Sequence, residues 1–150
     1  MKVEWFLAEL VMKITVAGDP QNVVHQNLVL IRADSAEEAY EKAIQLGKKE
    51  EISYDNPAGK AVHIHFEGVS DLIDIQEDLE DGAELDFRST VAMPEEKIRS
   101  LVKPRERLRA FLPPKRSEGP DYTSGEIMAM VARMMEAEQQ ESAGIGPSIS

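Results

Sequence analysis

The chain has 150 residues, no cysteine and a formal net charge of −11. This length suits about one domain, and the lack of cysteine excludes disulfide scaffolds, cysteine-ligated zinc and cysteine nucleophiles. The acidity argues against general binding to nucleic acids or anionic membranes, which requires Lys and Arg. Because Glu4 and Glu9 interrupt the N-terminal apolar run and no stretch approaches the ~20 residues that span a membrane, we expect a cytoplasmic protein.

The first 33 residues predict a β-hairpin. Apolar side chains alternate along the first strand, which is typical of a strand with one face on a core. The predicted inward set is Phe6, Ala8, Leu10, Met12, Ile14 and Val16. The other face carries Trp5, Leu7, Glu9, Val11, Lys13 and Thr15. A Gly-Asp-Pro-Gln-Asn turn at 18–22 connects this strand to a second one over about 23–33.

A helix is predicted directly after the hairpin. Ser35 with Glu38 three residues later forms a capping box, the usual start of a helix. The apolar stripe of this helix is Ala36, Ala39, Tyr40, Ala43, Ile44 and Leu46. Gly47 is expected to end it, because glycine is common just past helix C-termini.

Further strands are predicted after a turn at 55–59. One strand covers 60–67 with Val62, Ile64 and Phe66 pointing inward, and Gly68 marks a bend before a continuation over 69–75. Another strand is expected over 83–93, after the Asp-Gly turn at 81–82.

The C-terminal third predicts two helices. Pro94 begins a short helix with Ile98, Leu101 and Val102 inward, and Pro104 ends it.

We expect an α+β domain at 1–112, with a mostly antiparallel sheet of four or five strands and one main helix packed on it. A linker at 113–125, a Met-rich amphipathic helix at 126–141 and a disordered tail at 142–150 would follow.

Several short motifs also occur together in one known family. They are Trp5-Phe6, Val29-Leu30-Ile31, Ala33-Asp34-Ser35 leading into EEAYEKA, Tyr54-Asp55-Asn56, and Phe66-Glu67-Gly68-Val69. In these motifs residues 3–91 resemble a small bacterial family catalogued as a domain of unknown function. The resemblance implies the fold. It brings no catalytic residues and no substrate class.

Histidines suggest one candidate metal site. His63 and His65 alternate along one strand and therefore share a face, and His25 would join them if the strand register allowed it. The competing interpretation is that these are exposed or hydrogen-bonded side chains, which we favour because two histidines alone bind metal weakly. No cofactor and no catalytic residue are predicted.

Charge is segregated along the sequence. Residues 1–96 carry a net charge of −13, residues 97–116 carry +7, and the remainder carries −5. Eight acids without a base lie between Asp71 and Asp86, which indicates a solvated surface or one that faces a basic partner. The basic segment contains Lys97, Arg99, Lys103, Arg105, Arg107, Arg109, Lys115 and Arg116. We expect these cations to pair with acidic surfaces, and nucleic-acid contact is the alternative.

The Met-rich helix predicts a binding surface. Methionine adapts to irregular grooves, and an amphipathic helix after a linker suits docking. Its apolar stripe contains Ile127, Met128, Met130, Val131, Met134 and Met135. Trp5, Leu7 and Val11 lie on the non-core face of strand one and also need cover. The helix could therefore dock on its own domain, on a second copy or on another protein.

We therefore expect a non-catalytic protein-interaction module, an accessory or inhibitory subunit of a bacterial assembly. Its partner, a protein or a second copy of itself, would bind through the sheet face and the C-terminal helix; no membrane partner is expected. The alternatives are a metal-binding protein or metal-dependent enzyme that uses His63 and His65, and nucleic-acid contact through residues 97–116.

Overall fold

A computed structural model describes residues 4–114 and 119–144. Its strands are β1 (Glu4–Val16), β2 (Val23–Ala33), β3 (Ile52–Asp55) and β4 (Ala61–Ile75). Its helices are α1 (Ala36–Lys49), α2 (Glu95–Leu101) and α3 (Gly125–Gly144), with 3-10 turns at Arg105–Arg107 and Arg109–Phe111. The expected α+β class is confirmed.

The four strands form one antiparallel sheet in the order β2-β1-β4-β3. The predicted hairpin is present, with Phe6 opposite Ile31 and Met12 opposite His25. β4 is one long strand whose register against β1 shifts twice around Gly68, so the expected bend is a pair of β-bulges. β2 and β3 are the edges of the sheet.

The core lies between one sheet face and α1. All six inward residues predicted for β1 are buried, as are Val62 and Phe66 of β4. Ala39 and Ala43 of α1 are fully buried against this face, because alanine lets a helix approach a sheet closely. We call this side the core face and the opposite side the outer face.

Helix α1 begins as predicted but ends later. The Ser35 hydroxyl accepts a hydrogen bond from the Glu38 backbone N–H at 3.1 Å, and the helix continues through Gly47 to Lys49. Gly47 is buried within the last turn, where an added Cβ would lie 2.3 Å from the Phe66 ring. The prediction that Gly47 ends the helix is wrong, because this glycine serves close packing.

Two strand assignments also differ from the prediction. Residues 83–93 form no strand, and Leu85 and Phe87 are exposed, because no neighbouring strand supplies hydrogen bonds. Instead Ile52–Asp55 forms β3, whose residues pair with 61–64 of β4. A strand of four residues with one half-buried side chain leaves little alternation to detect.

Helix α2 forms where Pro94 predicted it but buries nothing. Ile98, Leu101 and Val102 are 42%, 65% and 77% exposed, so the expected inward face is wrong. Residues 76–114 contribute no buried side chain. Among the described residues, no helix has the length and apolar character needed to cross a membrane.

Candidate functional site

The outer face of the sheet carries an apolar stripe that no described helix covers. Leu7 of β1 lies between Leu30 of β2 and Ile73 of β4, and Trp5 pairs with Ile75 at one end. We call Trp5, Leu7, Val11, Leu28, Leu30, Ile73 and Ile75 the outer stripe. Leu7 is buried by its neighbours, whereas Leu28 and Leu30 are 64% and 46% exposed. The side chain at the centre of the stripe is therefore buried, whereas the leucines at its edge are exposed to solvent.

Polar contacts lie at the Trp5 end of the outer stripe and, at Glu9, between Leu7 and Val11. The Arg32 guanidinium lies 5.9 Å from the Trp5 ring centroid, within the range of a cation–π contact. The Glu9 carboxylate accepts hydrogen bonds from the Gln26 amide and from the Ser70 hydroxyl. These side chains hold each other in place, which fixes the shape of the surface that surrounds the leucines.

Carboxylates of the acidic run border the same stripe. Asp71 is opposite Glu9 on the outer face, whereas Asp74 is opposite Phe6 and is therefore on the core side of β4. Beyond the strand end, Glu77 and Asp78 line a cavity of about 360 Å³ together with Trp5. All eight acids between Asp71 and Asp86 are exposed. Near this end the stripe therefore has a negative border.

His63 and His65 share the outer face of β4, as alternation predicted. Ser53 Oγ and His63 Nδ1 are hydrogen-bonded at 2.7 Å. His65 Nδ1 lies 3.1 Å from Glu67, and His65 Nε2 lies 3.5 Å from Glu51. The Lys13 ammonium, 3.2 Å from Glu67, and then His65 lower the pKa of the Glu67 carboxyl.

His25 lies on the other side of the sheet. It is opposite Met12, which is buried in the core face, whereas His63 and His65 are opposite Thr15 and Lys13. The register therefore excludes the predicted three-histidine site. Within residues 4–114 and 119–144, no group of three potential ligand side chains could hold a metal ion. The pair His63 and His65 has carboxylate and hydroxyl partners instead.

The basic segment lies on the surface and includes the end of α2 and two 3-10 turns. Its cations from Lys97 to Arg109 are exposed, and the Arg105 guanidinium lies 4.3 Å from the Phe111 ring centroid. Lys115 and Arg116 lie outside the described residues. Phe111, the aromatic residue of this segment, is thus in contact with a cation of the same segment.

The Met-rich helix exists as α3. Met130, Met134 and Met135 are 57%, 64% and 58% exposed, which matches the predicted apolar surface. The side chains of Ile127, Met128 and Val131, and the end of the predicted tail at 145–150, lie outside what the structure describes. Three methionines at neighbouring positions on a helix offer a flexible apolar contact.

The residues just before α3 are attached to the core face, a contact that the linker prediction did not include. The Tyr54 hydroxyl donates to the Tyr122 carbonyl, and Asn56 Nδ2 donates to the Asp121 carbonyl at 3.0 Å. The Tyr122 ring packs on Ile14, Val16 and Val62 and meets the His25 ring edge-to-face at 5.5 Å. We call residues 119–124 the docked segment.

Burial explains why these polar groups matter. Asn56 is 6% exposed, and its Oδ1 accepts from the Lys60 backbone N–H at 2.9 Å, so both ends of the amide are satisfied. Desolvation, followed by the nearby Tyr122 and Asp121, raises the pKa of Tyr54. Tyr54 and Asn56 belong to the Tyr-x-Asn motif, which was the available signal for this contact.

A family model described as Domain of unknown function (DUF4288) matches residues 5–86, which is more than half of the chain. The match contains the whole sheet, α1, Tyr54 and Asn56, and ends before the docked segment and α3. No curated protein and no solved structure matched the chain.

Proposed function

This chain belongs to the family described as Domain of unknown function (DUF4288), and we propose that it is a non-catalytic protein-interaction module, an accessory subunit of a larger cytoplasmic assembly in bacteria. The observation that supports this most is the outer stripe. Leu28 and Leu30 stay exposed beside a buried Leu7, and no described element packs on them. Contiguous apolar surface with a polar border is typical of protein contacts.

The border indicates what kind of partner fits. Glu77 and Asp78 line the cavity beside Trp5 at one end of the stripe, and Asp71 lies further along the outer face, opposite Glu9. A partner that presents an apolar patch beside Lys or Arg would match both the leucines and the carboxylates. Such charge complementarity speeds association and rejects acidic competitors.

Helix α3 provides a second contact surface, and it begins far from the Trp5 end of the outer stripe. Gly125 follows the docked segment, which lies on the core face near Val16. Trp5 is at the opposite end of β1 and on the outer face, ~36 Å away at the usual rise of a strand. A 20-residue helix spans about 30 Å and would also have to pass around the sheet edge to reach Trp5.

The test is capture of partners from source cells with matched variants. We expect Leu28→Asp to abolish recovery of a partner that the unaltered chain retains, because a carboxylate would enter the apolar contact. Val102→Asp is the control, since Val102 is exposed on another element. Equal recovery with Leu28→Asp and the unaltered chain would overturn the proposal for the outer stripe, provided that circular dichroism shows both variants folded.

A chain that ends at residue 124 separates the two surfaces. If α3 contributes to the same contact, this truncation weakens capture while Leu28→Asp removes it. Undiminished capture by the truncated chain would assign the contact to the outer stripe alone.

A further inference from the structure

Within residues 4–114 and 119–144, no strand pairs with the outer edge of β2, and this free edge can accept another strand. Strand β2 is at the end of the sheet, and its 11 residues contain one charged side chain, Arg32. The Lys42 ammonium donates to the Arg32 carbonyl at 2.6 Å, so this carbonyl faces away from β1. Because backbone orientation alternates along a strand, the N–H and C=O groups of Leu30 and Leu28 also face outward. Long, weakly charged edges of this kind pair readily with further strands.

The chain also contains a strand-like segment without a partner. Glu84, Leu85, Asp86 and Phe87 alternate acid and apolar side chains, and Phe87 is 73% exposed. Residues 83–90 pair with none of the described strands. The segment therefore has the alternation of a strand but no neighbouring strand to supply hydrogen bonds.

A groove along the free edge carries positive charge, which complements the acidic side chains of this segment. It lies between β2 and α1, has a volume of about 280 Å³, and contains Ile31, Leu46, Lys42 and Lys49. Helix α1 follows β2 after a short turn and runs back along it, with Lys42 beside Arg32. Lys49 is two turns further on, ~10 Å, which is the length of about three strand residues and places it near Val29.

We propose that residues 84–91 of a second copy of this chain add to the free edge of β2 as a fifth, antiparallel strand. In the register that matches apolar residues, Leu85 is opposite Leu30 and Phe87 is opposite Leu28, on the outer face. Glu84 and Asp86 then point to the α1 side, Glu84 toward Lys42 and Asp86 toward Lys49. One register therefore satisfies both the apolar and the charged side chains.

The occupant is a second copy because the segment of the same chain does not lie on this edge, since residues 83–90 are outside every described strand. The Glu84 backbone N–H donates to the Glu77 carboxylate at 2.8 Å, and residues 77–79 line the cavity beside Glu4 and Trp5. Reciprocal exchange of the segment between two copies makes a closed two-fold dimer, the commonest form of oligomer. This inference does not depend on the partner contact proposed above.

Molar mass by light scattering, across a concentration series of the full chain, tests the proposal. We expect a monomer–dimer equilibrium. Lys49→Glu and Asp86→Lys should each raise the dimer dissociation constant by about tenfold, since each change opposes like charges at both symmetric contacts. Combining the two substitutions should restore the dimer. Failure of the combination to restore it, or a monomer at all concentrations, would overturn the proposal.

Phe87→Asp gives a second, fold-safe measurement because Phe87 is exposed. It should abolish the dimer, whereas Leu101→Asp, an equally exposed control on α2, should not. Lys49→Glu changes a side chain on the α1 side, away from the outer stripe, and should leave capture of the foreign partner unchanged. Failure of this inference is therefore distinguishable from failure of the proposed function.

Hydrogen exchange distinguishes a second copy from pairing within one chain. The amides of Leu28 and Leu30 face outward, so their protection should rise with protein concentration in parallel with the dimer. The amides of Asn27 and Val29 bond to β1 and should be protected throughout. Protection of Leu28 and Leu30 that is independent of concentration would mean that the segment pairs in its own chain, and would overturn the proposal.

Discussion

At the scale of single residues, the same amino acid has different roles according to what lies opposite it. Gly47 shows this most clearly. Its position after the apolar stripe of α1 is typical of a helix end, yet the helix continues through it to Lys49. Because Gly47 has no Cβ, the Phe66 ring can pack directly against the helix backbone. Nothing local to residue 47 encodes that contact, because Phe66 comes from a distant strand.

Gly47→Ala should therefore destabilise the protein, although alanine is the better helix former. The gain in helix propensity is about 1 kcal/mol, whereas overpacking a buried ring typically costs about 1–3 kcal/mol. We expect a net loss of about 1 kcal/mol in the free energy of unfolding measured with urea, which is the middle of that range of overpacking costs less the gain in helix propensity.

Two companion variants check the cause. Gly125→Ala should not destabilise, because nothing lies within 4 Å of its added Cβ. Phe66→Leu combined with Gly47→Ala should be less destabilised than the sum of the single changes, since the smaller side chain relieves the overlap. A stabilised Gly47→Ala protein would contradict the packing argument.

The histidines illustrate the same dependence on register. Alternation within β4 places His63 and His65 on one face, which sequence alone could predict. The face of His25 relative to theirs depends on the pairing of β2 with β1 and of β1 with β4, and a shift by one residue would reverse it. The candidate metal site was therefore only partly accessible from the sequence.

At the scale of elements, partners decide which segments become strands. Residues 83–93 have good alternation and no partner, whereas Ile52–Asp55 have little alternation and pair with β4. A strand is stable only when its backbone groups are hydrogen-bonded by a neighbour. The local sequence indicates the tendency of a segment to form a strand, but not whether a neighbouring strand is available to pair with it.

The docked segment is an element held by two polar anchors, and removing one should release it. In Asn56→Ala, the Asp121 carbonyl and the Lys60 N–H lose a partner at a buried position. We expect a loss of about 1–3 kcal/mol in stability and faster hydrogen exchange over residues 119–124, measured by mass spectrometry.

Ser53→Ala is the matched control for that variant. Ser53 is on β3, the strand that Asn56 follows, but its hydroxyl bonds the exposed His63 on the outer face. It should leave exchange at 119–124 unchanged. Equal release in both variants would show that the strand, and not the Asn56 amide, holds the segment.

At the scale of the whole molecule, the packed core and the exposed C-terminal part contribute differently to stability. Buried apolar side chains concentrate in β1, β2, α1 and β4, and Tyr122 adds to this core from the docked segment. Beyond it, Met130, Met134 and Met135 are exposed and contribute little to a single copy.

Two truncations should therefore behave differently. A chain ending at residue 124 keeps Tyr122 and should match the full chain within about 0.5 kcal/mol. A chain ending at 118 exposes part of Ile14, Val16 and Val62 and should lose about 2 kcal/mol. Thermal unfolding of both at one protein concentration measures the difference. Equal destabilisation of the two would mean that α3 packs on its own core.

The sequence by itself determined the hairpin, the capped helix and the inward face of β1. Each depends on periodicity or on contacts within a few residues, which are local properties of a chain. Only the tertiary structure decided the sheet order, the face of His25, the role of Gly47, the attachment of Tyr122 and the free edge of β2. These depend on which distant segments become neighbours, because hydrogen-bond pairing and close packing join residues that the sequence keeps apart.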